Sequence, residues 1–306
     1  TGEWFATLHS RLVGPYIDHF GSEEQKQRWL PDCASGKKIL AIAMTEPDAG
    51  SDLAGMRATL REDGDHFVLN GSKTFISNGI NADLIIVAGK SDPENNPHAM
   101  TLCVVERGME GFERGRNLDK MGLKAQDTAE LFFNNVIIPK ENILGEPGHG
   151  FFYLMQGLAE ERLIAATGSI ANARHAFNLT RDFVMERKVF GKPLSYMQNT
   201  QFKMAEMDAE IEVLETFVDV LVARHNEGKL TVNVAAKAKL QASEIEWKML
   251  DLGVQLHGGS GYMKEYPICE MFTSARINRI LAGSSEIMKL IIGRDIFSEN
   301  YNSNLD

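Results

Sequence analysis

Pro139-Lys140-Glu141-Asn142-Ile143-Leu144-Gly145-Glu146-Pro147-Gly148 separates two stretches of different hydrophobic period, and no single element type accommodates both. Before it, Ile39–Met44, His66–Leu69, Lys73–Ser77, Leu84–Ala88, Thr101–Glu106 and Glu130–Phe133 are short runs rich in β-branched and aromatic residues. The turn clusters Asp63-Gly64-Asp65 and Asn70-Gly71 lie between them, which predicts a compact antiparallel β domain over residues 38–147. After it, apolar residues recur at helical spacing over about 149–187, 198–227, 230–258 and 283–296, broken at Gly191-Lys192-Pro193 and Gly258-Gly259. Long helices with short connections predict a bundle over 148–306. Ahead of both patterns, Trp4, Phe5, Leu8, Leu12 and Val13 have helical spacing, and Ser22-Glu23-Glu24-Gln25 has a capping-box pattern. Residues 1–37 therefore read as helix, turn, helix, and the fold class is α+β.

The 306 residues suit two or three domains at roughly 150 residues each, and 43% hydrophobic with 24% charged residues is the composition of an ordinary globular protein. No apolar run approaches the ~20 residues that span a bilayer, so membrane insertion is not expected. A formal charge of -10 opposes binding to a phosphate backbone, so nucleic acid is not an expected partner either. Cys33, Cys103 and Cys269 are far apart and odd in number, which indicates neither a disulfide framework nor a metal site and fits a reducing compartment.

Nucleotide and hydrolase signatures are missing. Gly148-His149-Gly150 has Tyr153 where a dinucleotide fingerprint needs glycine, Gly191-Lys192 has Pro193 where a P-loop needs Ser or Thr, and HExxH and GxSxG do not occur. Two clusters stand out instead. Met44-Thr45-Glu46-Pro47-Asp48-Ala49-Gly50-Ser51-Asp52 is a polar loop after a buried strand, with hydroxyls and an unobstructed backbone suited to a ligand, although a tight turn would have the same composition. Gln255-Leu256-His257-Gly258-Gly259-Ser260-Gly261-Tyr262 ends a helix with more glycines than a C-cap requires, as close approach to something flat would demand.

Together with Arg187-Lys188-Val189-Phe190-Gly191, Gln198 and Ala282-Gly283-Ser284-Ser285-Glu286-Ile287, these clusters resemble the acyl-CoA dehydrogenase family in order and spacing, from the first residues to about Asp295. The stretch from Lys120 to Phe133 is most similar to the long-chain branch. The resemblance implies an N-terminal helical domain, a central antiparallel β domain and a C-terminal four-helix bundle. Roughly 100 further residues precede the counterpart of Thr1 in the resembling proteins, so residues 1–37 read as the remnant of the first domain in a truncated chain.

The same resemblance implies FAD as cofactor and assigns residues to it. Ile42, Met44, Thr45 and Ser51 would meet the isoalloxazine edge, with Phe75, Ile76 and Ser77 packed against the ring. Arg187, Phe190 and Gln198 would reach the FAD of a neighbouring subunit, completed by Gln255, Leu256, His257, Gly258 and Gly259 and by Ser284, Ser285 and Glu286. His257 is expected to pack beside the cofactor rather than titrate. Ser51, His98, Phe152, Glu160, Arg162 and Gly283 would face the acyl-CoA. Asp48 stands where the family usually has glycine, which implies a left-handed turn position.

Most of the family carries its catalytic glutamate where this sequence has Ala282. The long-chain and isovaleryl branches place the base earlier, immediately before an arginine, and Glu160-Glu161-Arg162-Leu163 stands at that point. Glu161 is then the base, although a Glu-Glu-Arg run is more often a solvated helix face. A thioester α-proton is weakly acidic, so the carboxylate has to meet it in a dry site. The implied reaction is removal of the α-proton by Glu161 with hydride passing to flavin N5, giving trans-2-enoyl-CoA; electrons then leave to an electron-transfer flavoprotein. A homotetramer is implied by the shared cofactor residues. The alternatives are an isovaleryl or other branched-chain enzyme, and a truncated helical-bundle protein without catalysis.

Overall fold

The computed structural model describes residues 6–96 and 98–299, so Trp4 and Phe5 lie outside the described residues. The chain divides into two compact units, 1–157 and 158–306. In the first unit, α1 (Gly14–Phe20) and α2 (Glu23–Ala34) precede β1 (Leu40–Ala43), β2 (Thr59–Asp63), β3 (His66–Ser77), β4 (Leu84–Lys90), β5 (Met100–Glu106), β6 (Phe112–Asn117), β7 (Thr128–Pro139) and β8 (Ile143–Leu144). The expected capping box forms at α2: Gln25 N–H donates to Ser22 Oγ at 3.3 Å and Ser22 N–H to Gln25 Oε1 at 2.9 Å. Such a cap stabilises a helix by ~1 kcal/mol.

The strands make one sheet in the order β6-β7-β3-β2-β4-β5-β8, with β1 beside β4. Alternation along β4 explains its uninterrupted apolar sequence. Leu84, Ile86 and Ala88 join a cluster with Val13, Ile17 and the wholly buried Trp29 of the N-terminal segment and helices, while Ile85 and Val87 join Leu69, Leu131 and Phe133 of β3 and β7. Both faces of the central strands are thus covered.

Three expectations need correction. The sheet is mixed rather than antiparallel, because β1 runs parallel to β4 with Leu40 opposite Leu84. Asn70-Gly71 is not a turn but an irregularity inside the continuous β3, where the register against β7 shifts between Leu69 and Gly71. Gly71 has φ +135°, and a Cβ there would lie 2.7 Å from that of Ala58, so the backbones approach where only glycine fits. Strands β2, β6 and β8 escaped the sequence reading. Asp63-Gly64-Asp65 does turn the chain, as the β2–β3 hairpin with Asp63 opposite His66.

In the second unit the predicted helices are present within two residues at each end. They are α3 (Gly150–Glu186), which starts in the first unit, then α4 (Gln198–Asn226), α5 (Val232–His257) and α7 (Ser285–Ile296); the short α6 (Pro267–Ala275) was not anticipated. The break between α3 and α4 is a small hairpin, β9 (Lys188–Val189) against β10 (Lys192–Pro193), turning through Phe190 and Gly191. Leu163, Ala166, Ile170, Ala173 and Phe177 of α3 meet Met207, Ile211, Leu214 and Val218 of α4 and Ala238, Ala242 and Met249 of α5. Spacings of three, four and seven residues put each set on one stripe. Met288 attaches α7 to Ala236 and Leu240. Among the described residues, no helix is long and apolar enough to cross a membrane.

Candidate active site

In the first unit, the loop after β1 folds as a tight turn. Glu46 N–H donates to Ala49 O at 2.9 Å and Ala49 N–H to Glu46 O at 3.2 Å, so the bland reading of this segment is met without closing it to a ligand. Ser51 is exposed, and Ile42, Met44 and Thr45 are half-buried. Asp48 is not among the residues with positive φ, contrary to expectation; its exposed carboxylate instead lies 3.3 Å from Arg57. The loop is tied to β3 through Thr74 N–H, which donates to Thr45 O at 2.9 Å. Phe75, next along, is 67% exposed and has φ +58°, a conformation that costs a bulky residue ~1–3 kcal/mol. Ile76 points into the sheet core, so only its backbone is available to a ligand, and Ser77 is half-buried.

Beneath this loop lies a pair that the sequence reading missed. Lys73, wholly buried, donates to Glu46 Oε1 at 2.8 Å and to Met44 O at 3.1 Å. Glu46, also buried, accepts from Arg57 N–H at 2.6 Å and Ala58 N–H at 3.0 Å. Burial pushes the Lys73 ammonium below its ordinary pKa, opposed by the Glu46 carboxylate. No local signal announces it, because the partners are 27 positions apart and a strand lysine reads as surface.

The second unit carries two groups of the expected residues. At the far end of α3, Arg187 and Gln198 are exposed, and Phe190 is 97% exposed with φ +48°. The end of α5 lies alongside: His257 stacks on Phe183 of α3 at 4.1 Å and its Nδ1 donates to Gly253 O at 2.7 Å. Burial holds the His257 pKa below its ordinary value, opposed by the hydrogen bond to Gly253. Gln255 is exposed and Leu256 half-buried. The glycines that follow serve different ends. Gly261 is required by the chain itself, since a Cβ would meet Val254 O at 2.5 Å, whereas positions 258 and 259 open onto space with nothing within 4 Å.

The other group surrounds Glu161 and Arg162, both buried on α3. Lys239 of α5 is 1% exposed, donates to Gly283 O at 2.7 Å, and is pushed down to about 8 by burial and by the charge of Arg162. Gly283 (φ +90°) and Ala282 (φ +53°) form a left-handed turn. Ser284 caps α7, exposed Glu286 is held below the usual carboxylate range by backbone hydrogen bonding at the helix start, and Ser285 turns inward to donate to Glu244 at 2.7 Å. Glu160 points elsewhere, with Oε1 3.6 Å from His225 Nε2 of α4. Buried Glu246 bridges Asn172 and Asn278 at 2.6 and 2.8 Å, and burial raises its pKa. At ~1.5 Å per residue, Glu161 and Arg187 stand roughly 40 Å apart along one helix. The expected residues therefore do not converge on one point within this unit: Ser284–Glu286 belong to the Glu161 end and Gln255–Gly259 to the Arg187 end. In the first unit, His98 and Phe152 are exposed.

Three family models match in order: acyl-CoA dehydrogenase N-terminal domain at residues 2–37, middle domain at 41–136 and C-terminal domain at 148–297. The mitochondrial long-chain specific acyl-CoA dehydrogenase of Sus scrofa is 47% identical over 298 residues, covering 97% of this chain and 69% of that protein. The mitochondrial isovaleryl-CoA dehydrogenase of Solanum tuberosum is 34% identical over 291 residues, covering 95% and 71%. Among solved structures, an acyl-CoA dehydrogenase from Geobacillus kaustophilus superposes with a TM-score of 0.94 at 49% identity over 95% of this chain and 77% of that one. One from Bacillus anthracis complexed with FAD gives 0.89 at 32% identity over 95% and 54%.

Proposed function

The chain belongs to the acyl-CoA dehydrogenase family, and on that premise we propose that it oxidises long-chain acyl-CoA thioesters to trans-2-enoyl-CoA with Glu161 as the base. It is a flavin-dependent acyl-CoA dehydrogenase, and FAD is its cofactor. The residues present fit that group. Phe75 and Phe190 are aromatic, exposed and held at positive φ, Gly258 and Gly259 leave open ground, and Arg187 and Gln198 offer exposed donors suited to a pyrophosphate. When bound, FAD supplies the acceptor for the β-hydrogen and its electron pair. Met44, Thr45, Ser51 and Phe75–Ser77 would hold and orient its ring.

The observation that carries the choice of base is the burial of Glu161 beside Arg162, in a chain with alanine at 282. An exposed helix face would leave a Glu-Glu-Arg run in water; here Glu161 is 6% and Arg162 4% exposed, and Arg162 Nε and Nη1 have no hydrogen-bond partner. Buried charges of this kind are kept where they serve a site. Glu161 would take the α-proton while Arg162 sets the charge beside it. The long-chain reading is supported over the branched-chain one by 47% against 34% identity.

Because Glu161, in the first half of α3, and Arg187, just past its C-terminus, stand roughly 40 Å apart at ~1.5 Å per residue, Arg187, Phe190 and Gln198 would serve the FAD of a neighbouring subunit, in a homo-oligomer with a tetramer as the proposed state. An electron-transfer flavoprotein is the proposed acceptor of the electrons. The division 1–37, 38–147 and 148–306 is proposed for the domains, supported by the ranges of the three family models.

Substrate choice is tested by mixing the flavin-loaded protein, without oxygen, with palmitoyl-CoA or isovaleryl-CoA and following flavin bleaching. Bleaching is expected to be ~10-fold or more faster with the long chain, since several buried methylenes contribute ~0.8 kcal/mol each to binding in the transition state. Faster bleaching with isovaleryl-CoA would assign the protein to the branched-chain group.

A further inference from the structure

The Lys73–Glu46 pair is a poor device for stability alone. Taking two charges out of water costs more than their attraction returns in many proteins, and well-packed apolar residues often serve as well or better. The bonds of this pair point to a different purpose. Lys73 holds the carbonyl of Met44, where the loop leaves β1, and Glu46 holds the amides of Arg57 and Ala58, where the loop returns to β2. Both ends of the loop are therefore fastened to one ammonium that projects from β3. One further fastening adjoins it, Thr74 N–H to Thr45 O at 2.9 Å, at the point where the pairing of β3 with β7 is interrupted between Lys73 and Ile76.

Phe75 sits at the next position, exposed and left-handed. Such a conformation persists only where the surroundings over-determine it. Here they do so from both sides. On one side stand Lys73 and Thr74. On the other, Ile76 is in the core, Gly79 N–H donates to Ile76 O at 3.1 Å and buried Asn78 donates through Nδ2 to Leu40 O at 3.0 Å. The strained aromatic and the Met44–Ser51 loop thus share a single buried anchor.

We propose that the Lys73–Glu46 ion pair is a positioning device that fixes the Met44–Ser51 loop and the Phe75–Ser77 edge relative to one another as one rigid face for the flavin ring. The inference rests on the reading that these two segments meet the flavin, and it adds the residues that hold them. Neither side chain touches the cofactor; both act through the backbone of the residues that do.

The test uses the double variant Glu46→Gln/Lys73→Met in the full chain, which removes both charges together and leaves no unpaired one. FAD is removed from parent and variant and titrated back, with flavin fluorescence as readout. The double variant is expected to keep its circular dichroism and to bind FAD with a Kd raised ~10-fold or more, because binding must then order a face that was preorganised. Hydrogen exchange in the FAD-free proteins gives a second readout that involves no flavin. In the parent, the Thr74 and Ala58 amides should be as protected as those of central β4, and in the variant they should exchange ~10-fold or more faster. A Kd and exchange rates equal to the parent's would overturn the proposal. Should the double variant fail to fold, the parent alone decides: Thr74 and Ala58 amides exchanging like the exposed Asp52 amide would overturn it, and core-like protection would support it. A parent that takes up no FAD would remove the reading beneath the inference, whereas equal uptake by both proteins would remove the inference alone.

Discussion

Glu161→Gln is expected to bind FAD and acyl-CoA as the parent does, while flavin bleaching by substrate slows by ~10²-fold or more. The amide keeps the size of the carboxylate and most of its hydrogen bonding but cannot accept the α-proton. Glu160→Gln is the control, and the structure sharpens it. Adjacent helical positions point in different directions, and Glu160 faces His225 of α4 while Glu161 is buried beside Arg162. The Glu160 change should therefore leave bleaching near the parent rate. Slow bleaching in Glu160→Gln together with normal bleaching in Glu161→Gln would move the base by one position.

Lys73→Met alone should be severely destabilising. It strands the Glu46 carboxylate in a buried site with two amide donors and no counter-charge. Breaking a buried pair in this way costs ~3–5 kcal/mol. At the usual ~2–4 °C per kcal/mol for a domain of this size, the thermal midpoint should fall by roughly 10 °C. Differential scanning calorimetry of the FAD-free protein measures it. A midpoint unchanged from the parent would mean that Glu46 finds another partner or takes up a proton at no cost, and that the pair bears no load in the sheet.

Helix positions were legible in the sequence because glycine and proline punctuate them. Gly148 precedes α3 and Gly258 follows α5, and the apolar stripes between are long enough to define their period. The capping box at Ser22 was legible for the same local reason. What escaped was set by partners distant in the chain. Phe112-Glu113-Arg114-Gly115-Arg116-Asn117 has no strand-like alternation and becomes β6 only because β7 offers an edge. Asn70-Gly71 reads as a turn in isolation, and only the approach of Ala58 turns it into an irregularity within β3. Parallel pairing of β1 with β4 sets Leu40 opposite Leu84, 44 positions on, which no local period reports.

The candidate site divides the same way. Residues that announce themselves by composition, such as the Met44–Asp52 loop and the glycines after His257, were visible. Glu161 needed the absence of a carboxylate at 282 to be noticed at all. Lys73, Glu46, Lys239 and Glu246 were not visible, because a buried charge differs from a surface one only in what folds over it.

Mixing the FAD-loaded protein with an equimolar amount of palmitoyl-CoA in the absence of oxygen tests most directly whether this chain carries out α,β-dehydrogenation. The oxidised flavin absorbance should disappear in step with formation of trans-2-enoyl-CoA, in equal amounts. Persistence of the oxidised band in a protein that demonstrably holds both FAD and the thioester, with the acyl chain recovered saturated, would contradict it.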